Sequence, residues 1–432
     1  MIIGQDRSGL RYGVRRAGKA VAYCALHIQC GTRNEEGFHG GIAHFAEHTI
    51  FKGTKHRTAS SISSRLDRLG GELNAYTTKE EIVLHATILK EDLDKALDLI
   101  MELATDATFP DAEIETERGV VIDEIISYKD NPAEDIYDTF DEMLFKGHPL
   151  GGRILGTRQS VGRITPEELR RFYETFFTPD RMALTVVADL EEKAMERKVT
   201  RMAERFRIKF GMARQESVEK PGGESCTETT GNSPAATDVK DKAGAVPVQI
   251  FNKTVNRRNH EVNAIIGGQA PSLYDGKDRI TAALLMNLLG GPASNSILGS
   301  ILREKNGWVY NVECSYTQYS DTGLFTIAFG CDKPHLEKCL ATIRRELIRL
   351  MKKPLSEARL KAARKQFLGQ LAIASDNGEA QCLSMGKNLL CFDKIFSTEE
   401  NRAFIESVTA EDIQKMSLRL FDEGTLSTLV FY

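Results

Sequence analysis

One polar stretch constrains how this chain can fold. Between Ala213 and Val246 lies Gln215-Glu-Ser-Val-Glu-Lys-Pro-Gly-Gly-Glu-Ser-Cys-Thr-Glu-Thr-Thr-Gly-Asn-Ser-Pro. It holds too few apolar side chains to offset the entropy lost on ordering it. The expectation is a flexible linker over 213–246 between two domains, 1–212 and 247–432. Each is long enough to bury a core of its own.

The two sides of the linker repeat one pattern. Each opens with an extended segment, Ala20-Val-Ala-Tyr-Cys-Ala-Leu-His-Ile-Gln and Glu261-Val-Asn-Ala-Ile-Ile-Gly-Gly. Each has a helix of matching spacing, Glu91-Asp-Leu-Asp-Lys-Ala-Leu-Asp-Leu-Ile and Pro334-His-Leu-Glu-Lys-Cys-Leu-Ala-Thr-Ile. A long second helix follows, around Asp111 to Lys129 and Ser356 to Ser375. Near each end, Thr165 or Thr409 precedes a first turn with two acids, an N-cap signal. A strand follows, Arg181-Met-Ala-Leu-Thr-Val-Val-Ala or Thr425-Leu-Ser-Thr-Leu-Val-Phe. The repeat predicts an internal duplication of α+β class: two homologous domains, each a mainly antiparallel sheet with helices packed on one face.

The chemistry-bearing segment is Gly40-Gly-Ile-Ala-His-Phe-Ala-Glu-His-Thr-Ile-Phe. On a helix, His44 and His48 are four apart and project from one face. Two nitrogens at that spacing can reach one metal ion, and zinc favours nitrogen ligands in a tetrahedron. Glu47 beside them can take a proton from water held by the metal. An H-x-x-E-H run arises by chance roughly 0.03 times in a chain of this composition. The competing reading is a half-exposed helix with two unrelated histidines. A third ligand is sought in Glu113-Ile-Glu-Thr-Glu-Arg-Gly-Val-Val-Ile-Asp-Glu-Ile-Ile, where Glu117 and Glu124 stand two helical turns apart on one face. Read alone, that helix presents a solvated acidic face.

Composition excludes other classes. The net charge of -4 gives no basic excess for nucleic acid or an anionic membrane. No apolar run is long enough to span a bilayer. The first residues, Met1-Ile-Ile-Gly-Gln-Asp-Arg, carry no long apolar segment of a secretory signal. Eight cysteines without a C-x-x-C pair read as reduced, mostly buried thiols, and a cytoplasmic location is expected. Gly290-Gly-Pro-Ala-Ser lacks the Lys-Ser/Thr ending of a phosphate loop. His27 and His85 sit in strand-like segments and read as packing or edge residues. His39 and His56 flank the metal helix.

At these residues the sequence resembles the pitrilysin or insulinase-like metallopeptidases, inverted zincins with H-x-x-E-H. It is most similar to the half-length branch that includes mitochondrial processing peptidase and its bacterial relatives. The likeness runs through Gly31-Thr-Arg-Asn-Glu, the metal helix with Lys52-Gly-Thr, Gly70-Gly-Glu-Leu-Asn-Ala-Tyr-Thr-Thr-Lys-Glu and Glu117-Arg-Gly-Val-Val-Ile-Asp-Glu-Ile. In the second half it rests on Leu289-Gly-Gly and Arg303-Glu-Lys-Asn-Gly-Trp-Val-Tyr. The resemblance implies His44, His48 and Glu124 as zinc ligands, Glu47 as general base and Glu117 as a residue supporting a ligand. It implies that Asn74, Ala75 and Tyr76 lie on an edge strand that binds extended peptide. It implies that Arg303 and Tyr310 reach the substrate, Tyr310 also serving the oxyanion. Without the resemblance, these five are an ordinary strand start, a surface Arg and a half-buried Tyr.

The family's activity implies a zinc-dependent endopeptidase with one zinc ion per chain. Arg279-Ile-Thr-Ala-Ala-Leu-Leu-Met-Asn-Leu-Leu stands where a second metal helix would be and carries no ligands. Asn306 and Trp308 depart from residues common among relatives, which bears on substrate contacts near Tyr310. Family members enclose peptide or unfolded substrates between four such domains. A homodimer is therefore expected, with a heterodimer with a related subunit as the alternative assembly. The rival function is a non-catalytic scaffold or peptide-binding subunit of the same fold.

Overall fold

The computed structural model describes residues 1–218, 246–257 and 260–432. The apolar runs of the sequence become strands in two sheets. The first contains β1 (Ile2–Gln5), β2 (Arg11–Arg16), β3 (Val21–Ile28), β4 (Glu72–Thr77), β5 (Ile82–Leu89) and β6 (Met182–Ala188). The second contains β7 (Asn252–Val255), β8 (Val262–Ala270), β9 (Val309–Gln318), β10 (Gly323–Cys331) and β11 (Ser427–Phe431). Their orders are β1-β2-β6-β3-β5-β4 and β7-β11-β8-β10-β9. With β1 set aside the two orders match strand for strand. Each sheet has one parallel pair, β2 with β6 and β7 with β11, and is otherwise antiparallel. The expected duplication into two α+β sheets is therefore present.

The expectation of helices on one face only is incomplete. All seven residues of β6 are buried, as an uninterrupted apolar run requires when both faces are covered. Cys24, Leu26 and Ile28 of β3 join Leu184 and Val186 of β6 in one core. The helices Ile42–Thr49 and Leu93–Asp106 pack there. Ala25, Ala183 and Val187 point the other way, onto Cys382, Met385 and Leu389 of the helix Gly378–Phe392. The second sheet repeats this. Ala264, Ile266 and Val430 face its main helical layer. Ile265, Leu429 and Phe431 face Ile136, Phe140 and Leu144 of the helix Pro132–Leu144.

Each sheet thus takes one covering helix from the other half of the sequence. The first compact unit is Met1–Ile125, the run from Arg153 through the helix Glu192–Val218, and Ala374–Ile395. The second comprises Ile126–Gly152, the described residues from Val246 to Ile373, and Phe396–Tyr432. Compactness divides the chain otherwise than at 212 and 247, because a sheet that is apolar on both faces needs two covers. The helix Glu192–Val218 also continues past 212. The rest of the expected linker, 219–245, lies outside the described residues.

Gly378, Cys382 and Gly386 recur at four-residue spacing along their helix, so its backbone can approach the sheet closely. A Cβ on Gly386 would lie 2.1 Å from His27 Cδ2. His27 is 1% exposed and its Nδ1 is held 2.9 Å from Glu81 Oε2, so the ring cannot swing aside. Overpacking at such a site costs up to about 3 kcal/mol, of which better helix propensity returns about 1. Gly386→Ala is expected to destabilise the protein by about 2 kcal/mol in urea unfolding. Gly119→Ala, on the helix Asp111–Lys129 with nothing within 4 Å of the added carbon, is expected to stabilise it by up to about 1 kcal/mol. Shifts of the same sign in both variants would contradict the packing account.

Candidate metal centre

The helix Ile42–Thr49 begins at Gly41, whose φ of +90° suits glycine. Gly41 offers no side chain to its first amides. Glu35, in the preceding loop, supplies the acceptors instead. Its carboxylate accepts from Gly41 N at 3.1 and 3.0 Å and from Ala43 N at 3.0 Å. A carboxylate there also meets the positive end of the helix dipole. Cap signals are sought next to the first turn, so a glutamate six residues before Gly41 escapes them.

The sequence spacing places the imidazoles of His44 and His48 side by side, with ring centroids 4.5 Å apart. The helix Asp111–Lys129 brings Glu124 to them. Glu124 Oε2 lies 3.8 Å from His44 Nε2 and 3.5 Å from His48 Nε2. These separations are long for hydrogen bonds. They approach the edge of a zinc tetrahedron, about 3.3 Å for ligand bonds of about 2.05 Å. Among the described residues this is the one trio of His, Cys, Asp or Glu whose ligand atoms lie within 4.8 Å of one another. Burial, with His48 as a lesser cause, holds the His44 imidazole down to about 3. The ring is therefore neutral and keeps a lone pair for a metal. The donor set of two imidazoles and one carboxylate fits zinc.

Glu117, two turns before Glu124, is buried behind the trio. Its Oε1 lies 2.9 Å from His48 Nδ1, and its Oε2 lies 2.6 Å from Lys52 Nζ. That contact makes His48 Nδ1 the protonated nitrogen and turns Nε2 towards Glu124. Nothing in the sequence around Lys52 signals this role. Glu47 projects from the same helix, 9% exposed, and its Oε2 accepts a hydrogen bond from Thr77 Oγ1 at 3.0 Å. Burial raises its carboxyl above the ordinary value, against the pull of His48 and of the Thr77 bond.

Asn74, Ala75 and Tyr76 lie on β4, which pairs with β5 alone and forms an edge of the first sheet. Arg303 and Tyr310 belong to the second unit. Arg303 pairs with Glu304, and Tyr310, 61% exposed on β9, donates its hydroxyl to Asp332 Oδ1 at 2.9 Å. His85 is paired with Glu379 and His39 with Glu168.

Burial pushes the Glu35 carboxyl up to about 7, against the bonds from Ala43 and Gly41 and the charge of Lys79. A raised folded-state pKa stabilises fully below the unfolded value and is lost as pH rises through the folded one. Between pH 5 and 8, wild type should therefore lose up to about 3 kcal/mol relative to Glu35→Gln. Urea unfolding of both proteins in the presence of a chelator measures this, and a pH-independent difference would contradict it.

Residues 14–158 match the model of the insulinase family, peptidase family M16, and residues 163–367 match the peptidase M16 inactive domain. An uncharacterized zinc protease of Streptomyces coelicolor is 28% identical over 90% of this chain and 80% of its own length. Another uncharacterized zinc protease, from Bacillus subtilis, is 26% identical over 93% of this chain and 91% of its own. The mitochondrial-processing peptidase subunit beta of Caenorhabditis elegans is 27% identical over 98% of this chain and 88% of its own. Among solved structures, a protease from Helicobacter pylori superposes with a TM-score of 0.83 at 19% identity, covering 100% of this chain and 98% of that one. A peptidase M16 inactive domain from Pseudomonas fluorescens gives 0.81 at 16% identity, covering 100% and 97%. These two likenesses establish the fold. The chain belongs to the insulinase family of peptidases, family M16, with a family domain followed by that family's inactive domain.

Proposed function

We propose that this chain is a zinc-dependent endopeptidase that cleaves peptides or unfolded polypeptide segments. The observation that carries this reading is the convergence of His44, His48 and Glu124 with Glu47 on the same helix. Zinc held by these three side chains would acidify a water in the remaining tetrahedral position and polarise a substrate carbonyl. Glu47 accepts the proton of the attacking water and later returns it to the leaving amine. Glu117 orients His48 and makes it a better donor. The open edge of β4, with Asn74, Ala75 and Tyr76, offers backbone groups for an extended peptide to pair with. Tyr310 and Arg303, both exposed, are assigned to substrate carbonyls, Tyr310 as an oxyanion donor.

One zinc ion per chain is proposed, on the single candidate trio among the described residues. The working form is proposed to be a dimer that encloses its substrate, of two copies or with a related subunit. The name of the Caenorhabditis elegans relative, a peptidase subunit, supports such pairing. A reducing compartment, the cytoplasm by default, suits the seven described cysteines, all free thiols and six of them buried. Among the described residues no helix is long and apolar enough to cross a membrane.

The test compares wild type with Glu47→Gln for zinc content and for cleavage of an unstructured peptide mixture. Stoichiometric zinc is expected in both, with turnover lowered about 10²- to 10⁴-fold in the variant. Equal cleavage would remove Glu47 as base. Zinc binding without cleavage by wild type would favour the scaffold instead. Glu117→Gln is expected to weaken zinc binding about 10- to 100-fold in chelator competition, and unchanged affinity would separate Glu117 from the metal. Light scattering that shows only a 48.1 kDa species at micromolar concentrations would defeat the dimer.

A further inference from the structure

We infer that Thr77 is a positioning residue, whose hydroxyl fixes the Glu47 carboxylate and ties that base to the strand on which the peptide lies. This rests on the metallopeptidase reading above and adds a residue that the reading does not contain.

Strand alternation carries the first step. Leu73 and Ala75 of β4 turn towards the main core of the first unit, against which they pack. Glu72, Asn74 and Tyr76 turn the other way, and Tyr76 packs in the core beneath the Gly378–Phe392 helix. Thr77 falls in the row of Leu73 and Ala75 and is the first hydroxyl in it. At the end of β4 it meets the Ile42–Thr49 helix, where Thr77 Oγ1 donates to Glu47 Oε2 at 3.0 Å.

Backbone bonds hold the donor in place. Thr77 pairs in register with Ile82 across the β4–β5 turn. That turn is closed by Thr78 N to Glu81 O at 2.8 Å and by Glu81 N to Thr78 Oγ1 at 3.0 Å. It is pinned from outside by Thr32 N to Thr78 O at 3.2 Å and Arg33 N to Lys79 O at 2.9 Å. A glutamate has three rotatable side-chain bonds, and one bond to a fixed donor selects among its rotamers. The bond from Thr77 to Oε2 thereby sets the orientation of the carboxylate as a whole. A peptide added to the open edge of β4 stiffens the strand that carries the donor. The donor to the base thus stands on the strand proposed to pair with substrate.

The experiment uses the full-length zinc-loaded protein and an unstructured peptide substrate. Thr77→Val keeps shape and strand propensity but removes the hydroxyl. Its kcat is expected to fall about tenfold to a hundredfold, the worth of one hydrogen bond to a charged group. KM, and zinc affinity in chelator competition, should stay at wild-type values. Thr77→Ser should restore most of kcat. Crystals of Thr77→Val should show the Glu47 carboxylate in more than one rotamer. Wild-type kcat in Thr77→Val, with Glu47→Gln inactive, overturns the role of Thr77 and leaves the peptidase reading standing. Turnover in Glu47→Gln, or none in wild type, overturns both. Equal losses in the Val and Ser variants, or loss of zinc, would make Thr77 a structural residue and overturn the inference.

Discussion

Everything in this molecule depends on sheets that are apolar on both faces. A strand such as Met182–Ala188, buried along its whole length, cannot leave either side to water. Helices that lie between the strands of each sheet in sequence cover one face. The other face is closed by the helix Gly378–Phe392 on the first sheet and by Pro132–Leu144 on the second. Two fully or nearly fully buried side chains, Phe140 and Leu389, show what is gained. Each contributes about 1.5–3 kcal/mol by leaving water. The two halves of the sequence are therefore coupled in folding, since neither contains both covers for its own sheet.

The candidate metal centre is a local exception inside this apolar construction. Glu35, Glu47, Glu117 and His44 are all withdrawn from solvent around one short helix, where unpaired ionisable groups are costly. The protein meets most of the cost with specific partners. Amides of Gly41 and Ala43 serve Glu35, Thr77 serves Glu47, and His48 with Lys52 serve Glu117. What is left over is His44 Nδ1, buried without a hydrogen-bond partner, and the meeting of two Nε2 atoms with Glu124 Oε2, at distances that no hydrogen bond closes. A cation at this point would supply what the protein's own groups do not.

Local periodicity made part of this legible in sequence. The four-residue spacing of His44 and His48 and the seven-residue spacing of Glu117 and Glu124 are helix-face arguments, and the trio with its supporting carboxylate assembles from them. The shared strand order was legible as repeated segments. Other features depend on tertiary contacts with no local signal. The apolar run of β6 says that both faces are covered but not by which helix. Glu35 caps a helix from six residues upstream, and Thr77 is an ordinary strand threonine until the fold sets it against Glu47. Lys52 acquires its role only because the Asp111–Lys129 helix passes beside it. Arg303 and Tyr310 stand out by resemblance alone, and inside their own unit they bond to Glu304 and Asp332.

The duplication separates what the fold needs from what the site needs. After β3 comes the helix with His44, Glu47 and His48; after β8, the equivalent strand, comes Gly276–Gly290. That second helix buries Thr281, Ala282, Leu284, Leu285, Met286 and Leu289. The same slot is thus filled once with nearly apolar packing and once by a helix that adds three ionisable side chains to its apolar ones. Apolar filling stabilises without hydrogen-bond partners, whereas the ionisable filling needs a supporting set drawn from three other segments. Since the second copy builds the same sheet order without them, His44, Glu47 and His48 are not demanded by the architecture. In the first copy they are held by partners from elsewhere in the fold, Glu47 by Thr77 and His48 by Glu117, which Lys52 pairs in turn.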